Sequence, residues 1–198
     1  MDLFAGAGGN SIAFALTERW ERIIAIEKDA ATLACAQHNA EVYGVRDHIT
    51  WVHGDCFEWL DRAKHAPGRL DPAVRVDAAA TTLFASPPWG GVSYSDQDVF
   101  DLGTMVPYNL DALHRACAPL QHALYLPRTS DLRQLAAVVP EGRKIEVVQY
   151  CMKGAGKAMV AYYLGVDDEP AQDSPSGSQS YVTAVEEEET PTSDGLLV

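Results

Sequence analysis

The chain has 198 residues, 47% of them hydrophobic and 22% charged, which suits one globular domain with a sizeable core. A formal net charge of -13 speaks against gripping a long stretch of duplex, because phosphate recognition leaves a basic footprint. Much of that charge lies in residues 167–198, which carry nine acids and no Lys or Arg. The preceding 1–166 are only mildly acidic, so recognition of a small feature such as a base or a chain end stays open.

The four cysteines, Cys35, Cys56, Cys117 and Cys151, fall singly, without the paired spacing of a zinc site or a disulfide framework. They read as buried thiols in a reducing compartment. The six histidines are scattered, and no metal is expected. No apolar stretch reaches the roughly 20 residues of a membrane span, and no leader-like segment follows Met1. The expectation is a soluble, intracellular protein without membrane contact.

Along the chain, Leu3 to Ala5 read as the end of a strand that runs into a glycine turn at Gly6 to Gly9, with Asn10 placed to cap a helix through about Thr17. A strand over Ile23 to Ile26 follows. Residues 30–43 set Leu33, Ala36, Ala40 and Tyr43 at helical spacing, and Gly44 ends that helix. Ile49 to Val52 is the next strand, then a short helix near Phe57 to Ala63 and a loose loop to about Val76. Thr81 to Ala85 is a strand that leads straight into Ser86-Pro87-Pro88-Trp89. Beyond it come a helix near Leu110 to Cys117, a strand from His122 to Leu126 and a helix near Leu132 to Val138. Residues 144–152 and 158–164 then pair as a hairpin around Lys153-Gly154-Ala155-Gly156.

Alternating strands and helices predict an α/β domain over 1–166 with a mainly parallel sheet. Closing with an antiparallel hairpin is the habit of class I, Rossmann-like methyltransferases and not of dinucleotide dehydrogenases. The expected sheet has seven strands, the first of them truncated. From 167 to 198, Pro, Ser, Gln, Glu and Thr dominate, and this acidic tail is expected to be disordered, with protein contacts as its one available role.

Chemistry concentrates at the strand ends. In Asp2-x-x-x-Gly6-x-Gly8-Gly9 the glycines let backbone approach a ligand. The register lacks the third glycine of the GxGxxG dinucleotide pattern. Acids follow at the ends of later strands: Glu27, placed to accept two ribose hydroxyls, and Asp55, placed to accept an adenine amine. Asp2 can face the ammonium of a methionine moiety. Asp29 is a weaker ribose candidate and a natural helix cap. Three acids converging on one crevice suit a cationic sulfonium donor better than a pyrophosphate, which points to S-adenosylmethionine. Phe4, Ala5, Gly6, Gly8, Asn10 and Ser86 join the acids as candidate cofactor contacts.

The Ser86-Pro87-Pro88-Trp89 loop, a small polar residue, two prolines and an aromatic, suits methylation of a planar exocyclic amine. Ser86 Oγ and the Pro87 carbonyl can accept the two amine protons, and proline rings hold the carbonyls rigid because φ is fixed. Trp89 can stack on the base, worth ~1–3 kcal/mol, and a cationic 7-methylguanine would add ~1–2 kcal/mol on an indole face. Ser86, Pro87, Pro88 and Trp89 are therefore the candidate catalytic residues, and Trp89, Asn10 and Ser86 the candidate substrate contacts.

The stretches DLFAGAGGNSIAFAL (2–16), HNAEVYGV (38–45), SPPWGG (86–91) and YLPR (125–128), with Tyr94 and Phe100-Asp101 after the loop, resemble the trimethylguanosine synthase family of cap guanine-N2 methyltransferases. The resemblance covers about residues 2–166. It implies that Asp2, Glu27 and Asp55 hold the donor, that Ser86 and Pro87 orient the amine, and that Trp89 stacks on the methylated guanine. It also implies 7-methylguanosine-capped small nuclear and nucleolar RNA as partner, and a place in the nucleus, with nucleolus and cytoplasm as further sites. One departure stands out. Family domains begin with a helical extension that helps close the cap pocket, whereas here Met1 directly precedes Asp2 and the first strand is a stub. The alternatives are an adenine-N6 or ribosomal guanine-N2 methyltransferase, and a truncated, inactive copy that binds RNA or protein.

Overall fold

A computed structural model describes residues 1–90, 98–118, 120–140, 143, 145–152 and 155–164. The expected tail at 167–198, Gly91 and Tyr94 of the family-like stretch, and the Lys153-Gly154 apex of the hairpin lie outside these residues.

The sheet is built from β1 (Ile23–Glu27), β2 (Ile49–His53), β3 (Leu83–Ala85), β4 (His122–Pro127), β5 (Glu146–Met152) and β6 (Ala155–Tyr163). β1 pairs parallel with β2, β3 parallel with β4, and β6 lies antiparallel between β4 and β5. Residues 1–5 run between β1 and β3 and join the two halves. Asp2 N–H donates to the Ile24 carbonyl at 2.8 Å and Ile26 N–H to Asp2 at 2.9 Å, while Leu3 N–H reaches Phe84 at 2.9 Å. The spatial order is β2, β1, the 1–5 segment, β3, β4, β6, β5. This is the class I methyltransferase arrangement, with the expected truncated first strand reduced to isolated bridges at Asp2 between β1 and β3.

Among the described residues, five helices flank the sheet: α1 (Gly9–Leu16), α2 (Ala30–Val42), α3 (Cys56–His65), α4 (Leu110–Cys117) and α5 (Leu132–Ala137). The two-residue period of β1 sorts its side chains between faces. Ile23 and Ala25 join Ile12, Ala15 and Ala40 beneath α1 and α2, whereas Ile26 joins Leu60, Leu113, Leu124 and Leu135 beneath α3, α4 and α5. Short polar side chains set the helix starts, as expected of Asp and Asn at N-caps. Asp29 accepts from Thr32 N–H at 2.7 Å, Asp55 from Phe57 N–H at 2.8 Å, and Asn109 from Ala112 N–H at 2.9 Å. Gly44 closes α2 with a φ of 72°.

Several boundaries differ from the sequence reading. α1 begins at Gly9, with Gly8 in the capping position, so Asn10 lies inside the helix and caps nothing. The 66–80 loop is organised as three short 3₁₀ turns, two of them started by Asp71 and Asp77, and the last of these shortens β3 to three residues. β6 starts at Ala155, earlier than the expected 158. Only Cys56 and Cys117 are buried thiols, each pushed up to about 12 by loss of hydration. Cys35 on α2 and Cys151 on the edge strand β5 are exposed, contrary to expectation. No helix among the described residues is long and apolar enough to cross a membrane.

β4 carries a buried polar residue, His122, whose ring stacks on Tyr163 at 4.7 Å and 13°. Its Nδ1 lies 2.8 Å from the Leu120 carbonyl and its Nε2 lies 3.1 Å from His114 Nδ1. A carbonyl can only accept, so His122 Nδ1 bears the proton and Nε2 accepts from His114. Protonating His122 would set two donors face to face. Burial lowers its pKa from 6.5 to about 4. Between those values the unfolded chain binds more protons than the folded one, so stability falls as pH drops from 6.5 towards 4, by up to about 3 kcal/mol. Thermal melts across that range should show this loss, and His122→Phe should flatten it; an unchanged slope in the variant would place the titrating group elsewhere.

Candidate active site

The segment after residues 1–5, the ends of β1 and β2 and the loop after β3 meet at the carboxyl edge of the sheet, where open α/β sheets bind ligands. They enclose a cleft of about 320 Å³, near the lower end of small-molecule sites (roughly 300–1,000 Å³). Phe4, Gly6, Glu27, Asp55, Ser86, Pro87 and Pro88 line it, with Lys28, Pro107 and Tyr108 among the further contributors.

Glu27, the last residue of β1, is held in place from both sides. One carboxylate oxygen accepts from Gly6 N–H at 3.0 Å and the other from Asp29 N–H at 2.9 Å. The carboxylate thus ties the glycine turn to the start of α2 while facing the cleft. Gly6 has a φ of 53°, and nothing lies within 4 Å of where a Cβ would stand. A ligand can approach the backbone there, a conformation and an access that favour glycine.

Asp55 divides its two oxygens. Oδ1 caps α3 through Phe57 and Glu58 N–H, at 2.8 and 3.3 Å, and Oδ2 accepts from the Tyr108 hydroxyl at 2.7 Å. Burial draws this carboxyl upward, but the hydrogen bonds from Tyr108, Phe57 and Glu58 and the charge of Lys28 outweigh it and hold it below 3.8. Asp55 is therefore an ionised acceptor at neutral pH. Burial and the Asp55 partner together drive the Tyr108 phenol upward, so it remains a donor.

The other residues expected in the site lie elsewhere. Asp2, expected to face an ammonium, is fully buried beside the turn and does not reach the cleft. Its oxygens accept from Ser11 Oγ at 2.7 Å and Phe4 N–H at 3.3 Å, and burial raises its pKa despite both bonds. Ala5 is in the core beneath α1, and Asn10 is inside α1; neither lines the cleft. Gly8 serves packing: a Cβ there would stand 3.2 Å from Ala36 Cβ and 3.3 Å from the α2 backbone. Trp89 does not line the cleft either. Its ring stacks on Tyr125 at 5.8 Å and 19°, and its indole N–H donates to the Tyr125 carbonyl at 3.2 Å. Tyr125 belongs to the YLPR stretch, so two of the family-like stretches of sequence meet in one contact.

Tyr108 is the residue the sequence reading missed. It stacks on Phe57 at 4.0 Å and 16°, and Phe4 lies 6.0 Å away at a tilt. No local pattern marks it; the adjacent Asn109 cap of α4 is the only signal that fixes its place in the chain. Among the described residues no three His, Cys, Asp or Glu side chains gather as a metal site.

Residues 1–166 match the family model of RNA cap guanine-N2 methyltransferases. The chain belongs to that family. It is 32% identical over 166 residues to trimethylguanosine synthase of Schizosaccharomyces pombe, covering 82% of this chain and 64% of that protein. It is 30% identical over 139 residues to the Saccharomyces cerevisiae trimethylguanosine synthase, covering 69% and 40%. The chain thus spans less than two thirds of either relative. A solved structure from Porphyromonas gingivalis W83 assigned as a methyltransferase superposes with a TM-score of 0.58 at 19% identity, over 85% of this chain and 36% of that one. At that identity the superposition speaks for the class I fold alone.

Gly8→Ala should cost roughly 2–3 kcal/mol, well above the roughly 0.5 kcal/mol of an ordinary surface change, because a φ of 92° and contact with Ala36 oppose it together. Chemical denaturation checks this, with Gly9→Ala, where a Cβ meets nothing within 4 Å, as the mild control.

Proposed function

We propose that this family member transfers a methyl group from S-adenosylmethionine to the N2 amine of the 7-methylguanosine cap of small nuclear and nucleolar RNAs, in the nucleus, to give 2,2,7-trimethylguanosine. The observation that carries the reading is that one cleft joins Glu27 and Asp55 at one side to Ser86, Pro87 and Pro88 at the other. A donor site and an amine-presenting loop then share a single enclosed space.

The residues present fit such a donor. Glu27 would accept the ribose hydroxyls, Asp55 the adenine amine, and the open backbone at Gly6 leaves room for the amino-acid portion. When bound, S-adenosylmethionine supplies a methyl group carried on a positively charged sulfur. The acidic lining suits that charge. Asp2 supports the site from behind, through Ser11 and the Phe4 N–H.

At the loop, Ser86 Oγ and the Pro87 carbonyl accept the two protons of the amine and draw its lone pair out of conjugation with the ring. Pro87 and Pro88 fix those acceptors. Trp89, braced on Tyr125, is the stacking partner of the guanine. The reaction needs no strong base in the ground state, because positioning and in-line alignment supply most of the acceleration.

Methyl transfer should be detected on 7-methylguanosine-capped RNA and not on uncapped RNA of the same sequence; equal incorporation into uncapped guanine or adenine would overturn the reading in favour of another amine. Trp89→Ala should cut cap methylation roughly tenfold or more. Calorimetry should find its binding of S-adenosylhomocysteine within about twofold of the parent. Glu27→Ala should lose that binding.

A further inference from the structure

We infer that Tyr108 stands in the place of the donor's adenine, so that the donor must displace it to bind; this rests on the donor reading above. The phenol ring lies flat on Phe57, at 4.0 Å and 16°, and its hydroxyl donates to Asp55 Oδ2 at 2.7 Å. An adenine docked on Asp55 needs the same two things: a flat aromatic surface to stack on and a carboxylate oxygen to receive an edge N–H.

The shared stacking face makes the two occupants exclusive, because the Phe57 surface that carries the Tyr108 ring cannot carry an adenine at the same time. Asp55 Oδ1 already serves the Phe57 and Glu58 N–H groups at the start of α3, which leaves Oδ2 as the oxygen that faces outward. Tyr108 takes it. Phe57 does not line the cleft although its neighbours Asp55 and Cys56 do, because the Tyr108 ring covers its face. The arrangement keeps a low-pKa carboxylate and an apolar ring satisfied in the free protein, at the expense of donor affinity.

Position suits the role. Tyr108 directly precedes Asn109, whose side chain caps α4, so the ring is hung from a fixed helix start by a single residue of chain. Rotation of the side chain would release both Asp55 and Phe57 without disturbing α4. The carboxylate would then keep its cap on α3.

The test is Tyr108→Phe, which keeps the ring and removes the hydroxyl, in the full chain. Calorimetry with S-adenosylhomocysteine should find the variant binding roughly five- to tenfold more tightly than the parent, as expected when a hydrogen bond to a charged group no longer has to be broken. A parallel readout is the near-ultraviolet difference spectrum of parent minus variant, which isolates this one tyrosine. Its red shift, characteristic of a phenol donating to a carboxylate, should vanish when S-adenosylhomocysteine saturates the parent. Equal or weaker binding by the variant, or a red shift that persists in the saturated parent, would overturn the inference and leave the donor reading standing. Failure of both proteins to bind S-adenosylhomocysteine would overturn the two together. Binding by the variant alone would support the inference in its strongest form.

Discussion

Five backbone hydrogen bonds made by residues 1–5 hold the two halves of the sheet together, three to β1 and two to β3. Without them β1 and β2 would form one ribbon and β3, β4, β6 and β5 another, with no shared carboxyl edge. Glu27 and Ser86 come from opposite sides of this seam, so the cleft exists only because the seam is closed. The same five residues lead straight into the turn that presents Gly6. Asp2 adds a side-chain bond at the seam, to Ser11 of α1, and so secures the helix that follows the turn. Burying a carboxylate is tolerable because it receives two hydrogen bonds, in keeping with the rule that interior polar groups are paired.

The electrostatic character of the cleft follows from how its two acids are held. Each carboxylate is fixed by backbone N–H groups of a neighbouring turn or helix start, and the charge of Lys28 adds to the hold on Asp55. Glu27 bridges the glycine turn and the first residues before α2; Asp55 bridges a helix start and a phenol. The negative charge is thus bound into the scaffold, while the opposite side of the cleft, Pro87 and Pro88, offers rigid apolar surface. A ligand that is cationic at one point and aromatic at its ends is matched by both.

Much of this was legible in the sequence where one physical rule dominated. Short apolar runs placed β1 and β4, helical spacing at Leu33, Ala36 and Ala40 placed α2, and Gly44 marked its end. The strand-end positions of Glu27, Asp55 and Ser86 were legible for the same reason, since strand ends in parallel sheets converge. Asp2 was misplaced because chain position says which edge a residue reaches and not which way its side chain turns: Asp2 points back towards α1, where Ser11 donates to it. Gly8 fits both a ligand-facing and a packing role from sequence, and only the distance to Ala36 separates them. Tyr108 was invisible because its partners Asp55 and Phe57 lie about fifty residues earlier in the chain.

The contact between Gly8 and Ala36 makes α2 a steric gauge for a site to which it lends no side chain. Its first residues are anchored through Asp29 to Glu27, and its middle sets how near the glycine turn can sit. Positions 8 and 36 therefore form a single packing unit. A larger side chain at 36 would push the turn outward and carry the Gly6 N–H away from Glu27, so size at a helix position remote in sequence from the chemistry is passed directly to the carboxylate at the heart of the cleft.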